Sequence, residues 1–141
     1  MSHAIVAAVL VGHGLITSMI GLVAVTSPNA PAMALPSWFA WWPGPFGRSW
    51  LFDAVGLGTQ ASIFGGLLWL SGGLLILAGG LGWFGFGPLE GSRVTLLVSG
   101  AALSLIAQAL YFHPIYLVAV VINIAVVVLL WSDFLAARSA A

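Results

Sequence analysis

The chain has 141 residues, of which 62% are hydrophobic and 4% charged, three basic and three acidic, so the formal net charge is zero. Ordinary soluble domains carry roughly 25% charged residues, and nucleic-acid binders carry a basic patch; this composition excludes both. Cysteine and lysine are absent, which removes disulfides, thiolate metal sites, iron–sulfur ligation and any lysine Schiff base.

The six charges, Arg48, Asp53, Glu90, Arg93, Asp133 and Arg138, lie outside four uncharged apolar runs at 4–26, 61–84, 94–112 and 114–131. A hydrocarbon core about 30 Å thick takes roughly 20 helical residues to cross. A charge inside it costs a few kcal/mol. The pattern predicts one all-α domain over 1–141, an integral membrane four-helix transmembrane bundle, with a long aromatic-rich loop over 27–60. All seven prolines fall at 28, 31, 36, 43, 45, 88 and 114, outside the predicted helix interiors.

The first run, 4–26, resembles a secretory leader only superficially. It has no Lys or Arg ahead of it, and its apolar core is too long for a signal peptide. It reads as the first transmembrane helix. It holds His13 about 3 Å from the middle of the span at a rise of about 1.5 Å per residue, with Thr17 one turn later on the same face.

In the loop, Ser27–Pro36 is rich in Pro, Ala and Ser and reads as extended chain. Residues 38–52 hold seven aromatics, among them Trp38, Trp41, Trp42 and Trp50. Tryptophan prefers a membrane–water interface, where the ring is apolar and the N–H wet. This segment is expected on the outer surface as an aromatic belt, a lid over a ligand pocket or a docking surface, with a short interfacial helix over 48–57.

The second run repeats a glycine doublet every seven residues: Gly65-Gly66, Gly72-Gly73, Gly79-Gly80. A seven-residue period holds the glycines on one face of a left-handed helix pair. Small residues there let another backbone approach. The expected neighbour is a helix of the same bundle; a flat cofactor ring or a second protein subunit is the alternative. Ser71 in this run and Ser104 in the third sit near mid-span.

The third run carries Gln108 and His113 toward its outer end. Pro114 falls in the first turn of the fourth run, where its missing N–H is harmless, so the link is short and the two helices antiparallel. Asn123 lies within about 2 Å of mid-span. His13 and Asn123 are thus the best hydrogen-bonding pair in a polar layer that Ser71 and Ser104 extend. His113 reads as an interfacial histidine.

With four spans both termini share a side, and that side holds Arg93 and Arg138 against Arg48 alone. The positive-inside rule then places the termini in the cytoplasm and the loop outside. No catalytic residues emerge: the acids are dispersed, so neither triads nor paired carboxylates are available. Three scattered histidines make no metal centre. His13 and His113 differ in depth by roughly 18–20 Å and cannot ligate one haem from opposite sides, although either could contact a pigment singly.

The run His13-Gly14-Leu15-Ile16, the segment Arg48-Ser49-Trp50-Leu51, the glycine-rich helix with Leu68-Trp69-Leu70 and the last helix with Asn123 together resemble the small four-helix bacterial membrane proteins called DoxX-like. The resemblance spans most of the chain and implies a four-helix bundle in the bacterial cytoplasmic membrane, with a hint of quinone-linked electron transfer. Thr17 stands where the second histidine of the HGLIH motif would be.

Three functions follow as expectations. The first is a non-catalytic membrane subunit or scaffold of a larger complex or homo-oligomer, docking through its glycine face and aromatic loop. The second is a subunit of a quinone-linked system, with quinone or haem at His13 and Asn123. The third is a lipid-binding or chlorophyll-type pigment-binding protein.

Overall fold

The computed structural model describes residues 3–29, 37–39, 41 and 48–139. Five α-helices follow in order: α1 (His3–Thr26), α2 (Gly58–Trp83), α3 (Gly87–Glu90), α4 (Arg93–Leu110) and α5 (Leu117–Ser139). No strand occurs among the described residues. Among the described residues four helices are long and apolar enough to cross a membrane: α1, α2, α4 and the stretch Pro114–Leu135, which takes in most of α5.

The helix starts at 3, 58 and 93 lie within three residues of the expected ones. The fourth differs more. Pro114–Tyr116 forms a 3-10 turn before α5, and α5 continues past Trp131 to Ser139. Charge ends an apolar run, but Asp133 and Arg138 do not break a helix, so the helix outlasts the run. The expected interfacial helix over 48–57 is instead a turn and one 3-10 turn, Asp53–Val55. It stops at Gly56, whose φ of 76° is left-handed and whose N–H bonds back to Asp53. The short α3 was not expected; Pro88 in its first turn supplies the fixed φ that starts it.

The long helices pack in chain order: α1 on α2, α2 on α4, α4 on α5. The glycine doublets explain why α2 is central. In each doublet the first glycine faces α4 and the second faces α1. A Cβ added at Gly72 would lie 2.7 Å from Ser104 Oγ, one at Gly79 2.6 Å from Leu97 Cγ, and one at Gly65 would clash with the Tyr111 ring at the end of α4. On the other side, a Cβ at Gly66 would lie 2.9 Å from the Gly21 carbonyl, one at Gly73 2.9 Å from that of Gly14, and one at Gly80 3.0 Å from Val11. The doublets therefore make two seams rather than one. The reading of this face as a surface for a second subunit or a flat cofactor gives way to packing within the chain.

Gly14 and Gly21 answer from α1, also seven residues apart. A Cβ at either would lie 2.7 Å from a backbone Cα of α2, that of Leu77 and Leu70 respectively. Between α2 and α4, Leu97 and Ala101 join Ile76 in a buried cluster that Leu10 and Val126 complete from α1 and α5.

The loop is pinned to the far end of α4. Ser49 Oγ donates to the Leu110 carbonyl at 2.8 Å and accepts from Phe52 N–H at 3.1 Å. Trp50 Nε1 donates to the Ala109 carbonyl at 2.8 Å. A helix leaves its last carbonyls without partners, and these side chains supply them. Tyr111 adds a bond from its hydroxyl to the Ala61 carbonyl. Trp38 and Trp41 are exposed; Trp42 lies outside the described residues.

Candidate functional site

The ring of helices is closed on three sides. α5 approaches α1 far less closely than the other neighbours approach one another. Between them lies a cleft of about 540 Å³, within the 300–1,000 Å³ or so of small-molecule sites. Val9, Gly12, Ile16 and Ile20 of α1 form one wall; Val118, Ala119 and Ile122 of α5 form the other, with Ile115 above. Trp69 of α2 and Tyr116 close the back, their ring centroids 5.0 Å apart. A Cβ at Gly12 would meet nothing within 4 Å, so this glycine widens the cleft where Gly14 tightens a seam.

His13 and Thr17 are the polar side chains of α1 on this cleft, and both are buried. The pair expected from depth is present: His13 Nε2 lies 2.9 Å from Asn123 Oδ1. Asn123 Nδ2 then donates to Gln108 Oε1 at 3.3 Å. A hydrogen-bonded chain thus runs from α1 through α5 to α4, and all three members are at most 8% exposed.

Gln108 belongs to this chain, a correction to its placement beside His113 at the outer end. Helical side chains lean toward the helix N-terminus, which for α4 points away from the end that carries His113, and Gln is long enough to follow. Ser71 does not belong. It is exposed on the outer face of α2, because the glycine seams on either side fix the helix rotation and leave Ser71 pointing out. Ser104 is fully buried but on the α2–α4 seam against Gly72. Ser104 Oγ and Gln108 Nε2, one helical turn apart, make no hydrogen bond among the described residues.

His113 is not interfacial in the sense of facing out; it is 0% exposed. Its Nδ1 accepts from the Ile115 N–H at 3.2 Å, so it caps the 3-10 turn before α5. Its ring meets Tyr116 edge-on, with 6.4 Å between centroids. Burial holds its pKa below the ordinary value, and capping requires the neutral ring. His3 stacks on Trp83 at 5.5 Å.

Neither histidine suits a haem or chlorophyll. Axial ligation uses the nitrogen that a macrocycle can approach, normally Nε2, and in His13 that atom is engaged by Asn123. His113 is enclosed, with Nδ1 given to a backbone N–H. Among the described residues no three His, Cys, Asp or Glu converge for a metal. The arrangement instead suits an apolar molecule with one small polar end.

Trp69, Tyr116 and Gly12 were not singled out as site residues from sequence. Gly12 carried a signal, since it falls off the seven-residue phase of Gly14 and Gly21. Comparison with family models, with curated proteins and with solved structures gave no match.

Proposed function

We propose that this chain is an integral membrane protein that takes a lipophilic small molecule sideways from the bilayer into the cleft between α1 and α5, with His13 and Thr17 receiving its polar end. The observation that carries this is the coincidence, among the described residues, of an open seam with a buried polar chain. Apart from the polar pair, the cleft is lined by aliphatic and aromatic side chains and by Gly12, as lipid-facing entry requires. The termini lie in the cytoplasm and the loop outside on the arginine count. A membrane quinol, the hydroxyl-bearing reduced form of a quinone, fits this reading as one ligand class, and the DoxX-like resemblance agrees with it.

The test uses Gly12→Leu. Its Cβ meets no atom within 4 Å, so the side chain grows into the cleft and not into the α1–α2 seam. Organic extracts of wild-type protein, purified gently from its own membranes, should contain a stoichiometric lipophilic molecule that extracts of Gly12→Leu lack. Equal extracts at equal stability would end the binding reading.

A scaffold role in a larger complex is the second reading, and one observation favours it. Only 11% of the α5 span is buried, against 39–44% in the other three. Docking would then use α5 and the exposed tryptophans, not the glycines. Cross-linking from Val128 and Leu129 in native membranes should capture a partner helix if this holds, and only lipid if it does not.

A further inference from the structure

The chain behind His13 sets the chemistry of the ligand's polar end. Asn123 Nδ2 donates to Gln108 Oε1 at 3.3 Å, which leaves Asn123 Oδ1 as the acceptor toward His13. The 2.9 Å contact to that oxygen then needs the proton on His13 Nε2. A neutral imidazole protonated at Nε2 carries a bare lone pair on Nδ1. His13 lines the cleft, and with Nε2 committed to Asn123, Nδ1 is the nitrogen left for a ligand. Thr17, one turn along and 2% exposed, offers a hydroxyl that both donates and accepts.

We infer that the cleft selects lipophilic molecules ending in a hydroxyl, which donates to His13 Nδ1 and accepts from the Thr17 hydroxyl; this rests on the reading of the cleft as a binding site. A ketone or ether accepts from Thr17 and leaves Nδ1 facing an acceptor. A buried acceptor with no donor loses the free energy of its desolvation. An ammonium head could donate to Nδ1, but Val9, Ile16, Ile20 and Ile122 around it give a cation no compensation.

The reversed chain, with Asn123 Nδ2 donating to His13, would put the proton on Nδ1 and select carbonyls. The two polarities are therefore opposite predictions from the same side chains.

The experiment titrates wild-type protein in phosphatidylcholine nanodiscs with a brominated twelve-carbon alcohol, its methyl ether and the matching methyl ketone. Bromine quenches Trp69 at the back of the cleft. Gly12→Leu, whose cleft is filled, supplies the background from probe dissolved in lipid. Saturable excess quenching is expected for the alcohol, with the ether and ketone about tenfold weaker, the difference of one hydrogen bond. Equal binding of all three probes, or tighter binding of the ketone, would overturn the hydroxyl inference and leave the cleft as a binding site. No saturable excess for any probe would remove the binding site itself, and the inference with it. Nitrogen-15 NMR gives an independent reading. The imidazole signals lost in His13→Gln should show a protonated Nε2 and a bare Nδ1; protonation at Nδ1 would overturn the inference regardless of probe binding.

Discussion

α1 has two edges, and the residues two apart that define them, Gly12 and Gly14, have opposite uses. Gly14 lies with its backbone against α2, where a Cβ would fall 2.9 Å from the Gly73 carbonyl. Gly12, about 200° away around the helix, borders the cleft toward α5 and has no neighbour within 4 Å of a Cβ. One edge is held by backbone proximity along its length. The other is held by the His13–Asn123 bond and, further along, by the cluster that Leu10 and Val126 share, with an apolar cleft beside the bond. A seam built from glycines cannot open without losing contact everywhere. A seam with a cleft beside its hydrogen bond can admit a guest.

The sharpest way to break this contrast is to make the closed seam bulky. Gly14→Val should cost about 3 kcal/mol or more by overpacking against backbone that cannot move aside, and thermal melts in detergent should show no folded form or a sharply lowered Tm. A mild effect would mean that the α1–α2 seam is looser than its geometry.

Removing the bond of the open seam should cost less. Asn123→Leu leaves His13 Nε2–H and Gln108 Oε1 buried without their partner, a loss of about 1–2 kcal/mol. The double variant with His13→Leu should recover part of it, and a double-mutant cycle in the same detergent measures the coupling. Additive single effects would show that the bond contributes nothing of its own.

The third prediction concerns the end of the open seam that carries His113. His113 is held neutral by burial, below its ordinary pKa of 6.5. The folded chain therefore binds fewer protons at this site than the unfolded chain. This contribution to stability is fully present above about pH 6.5 and is lost as pH falls through that value toward the folded-state pKa. His113→Asn keeps an acceptor for the Ile115 N–H and should flatten the fall in Tm between about pH 7.5 and pH 5. An unchanged slope would assign the pH dependence elsewhere.

The smallest effect has the opposite sign. Gly12→Ala should stabilise α1 by up to about 1 kcal/mol, the helix-propensity difference between these residues, since nothing resists the new methyl. If it destabilises, α5 closes on α1 more tightly than the cleft suggests.

Much of the fold was legible because the apolar runs are long and free of charge, and depth follows from counting along them. That arithmetic brought His13 and Asn123 together across 110 residues. Rotation was not legible. Helices α1 and α2 are apolar on every face, so nothing in their hydropathy says which way Ser71 points, and depth alone placed it in a layer that it does not join. The glycine doublets did encode rotation, but for two neighbours at once. The matching pair Gly14 and Gly21 was the clue that α1 is one of them. Gln108 and His113 were misread for a different reason: side-chain lean and a capping bond act over distances too short for a count of residues to resolve.

Because the polar chain joins the first long helix to the last, it also orders the protein's assembly. During synthesis α1 and α2 can zip together through their glycines as soon as both have emerged. His13 must then wait, facing an open edge, until Asn123 has been made and α5 has packed. A chain interrupted between these two events carries an imidazole in apolar surroundings without its partner, which distinguishes it chemically from a finished one. The last bond to form is thus a local sign that the helix bundle is complete.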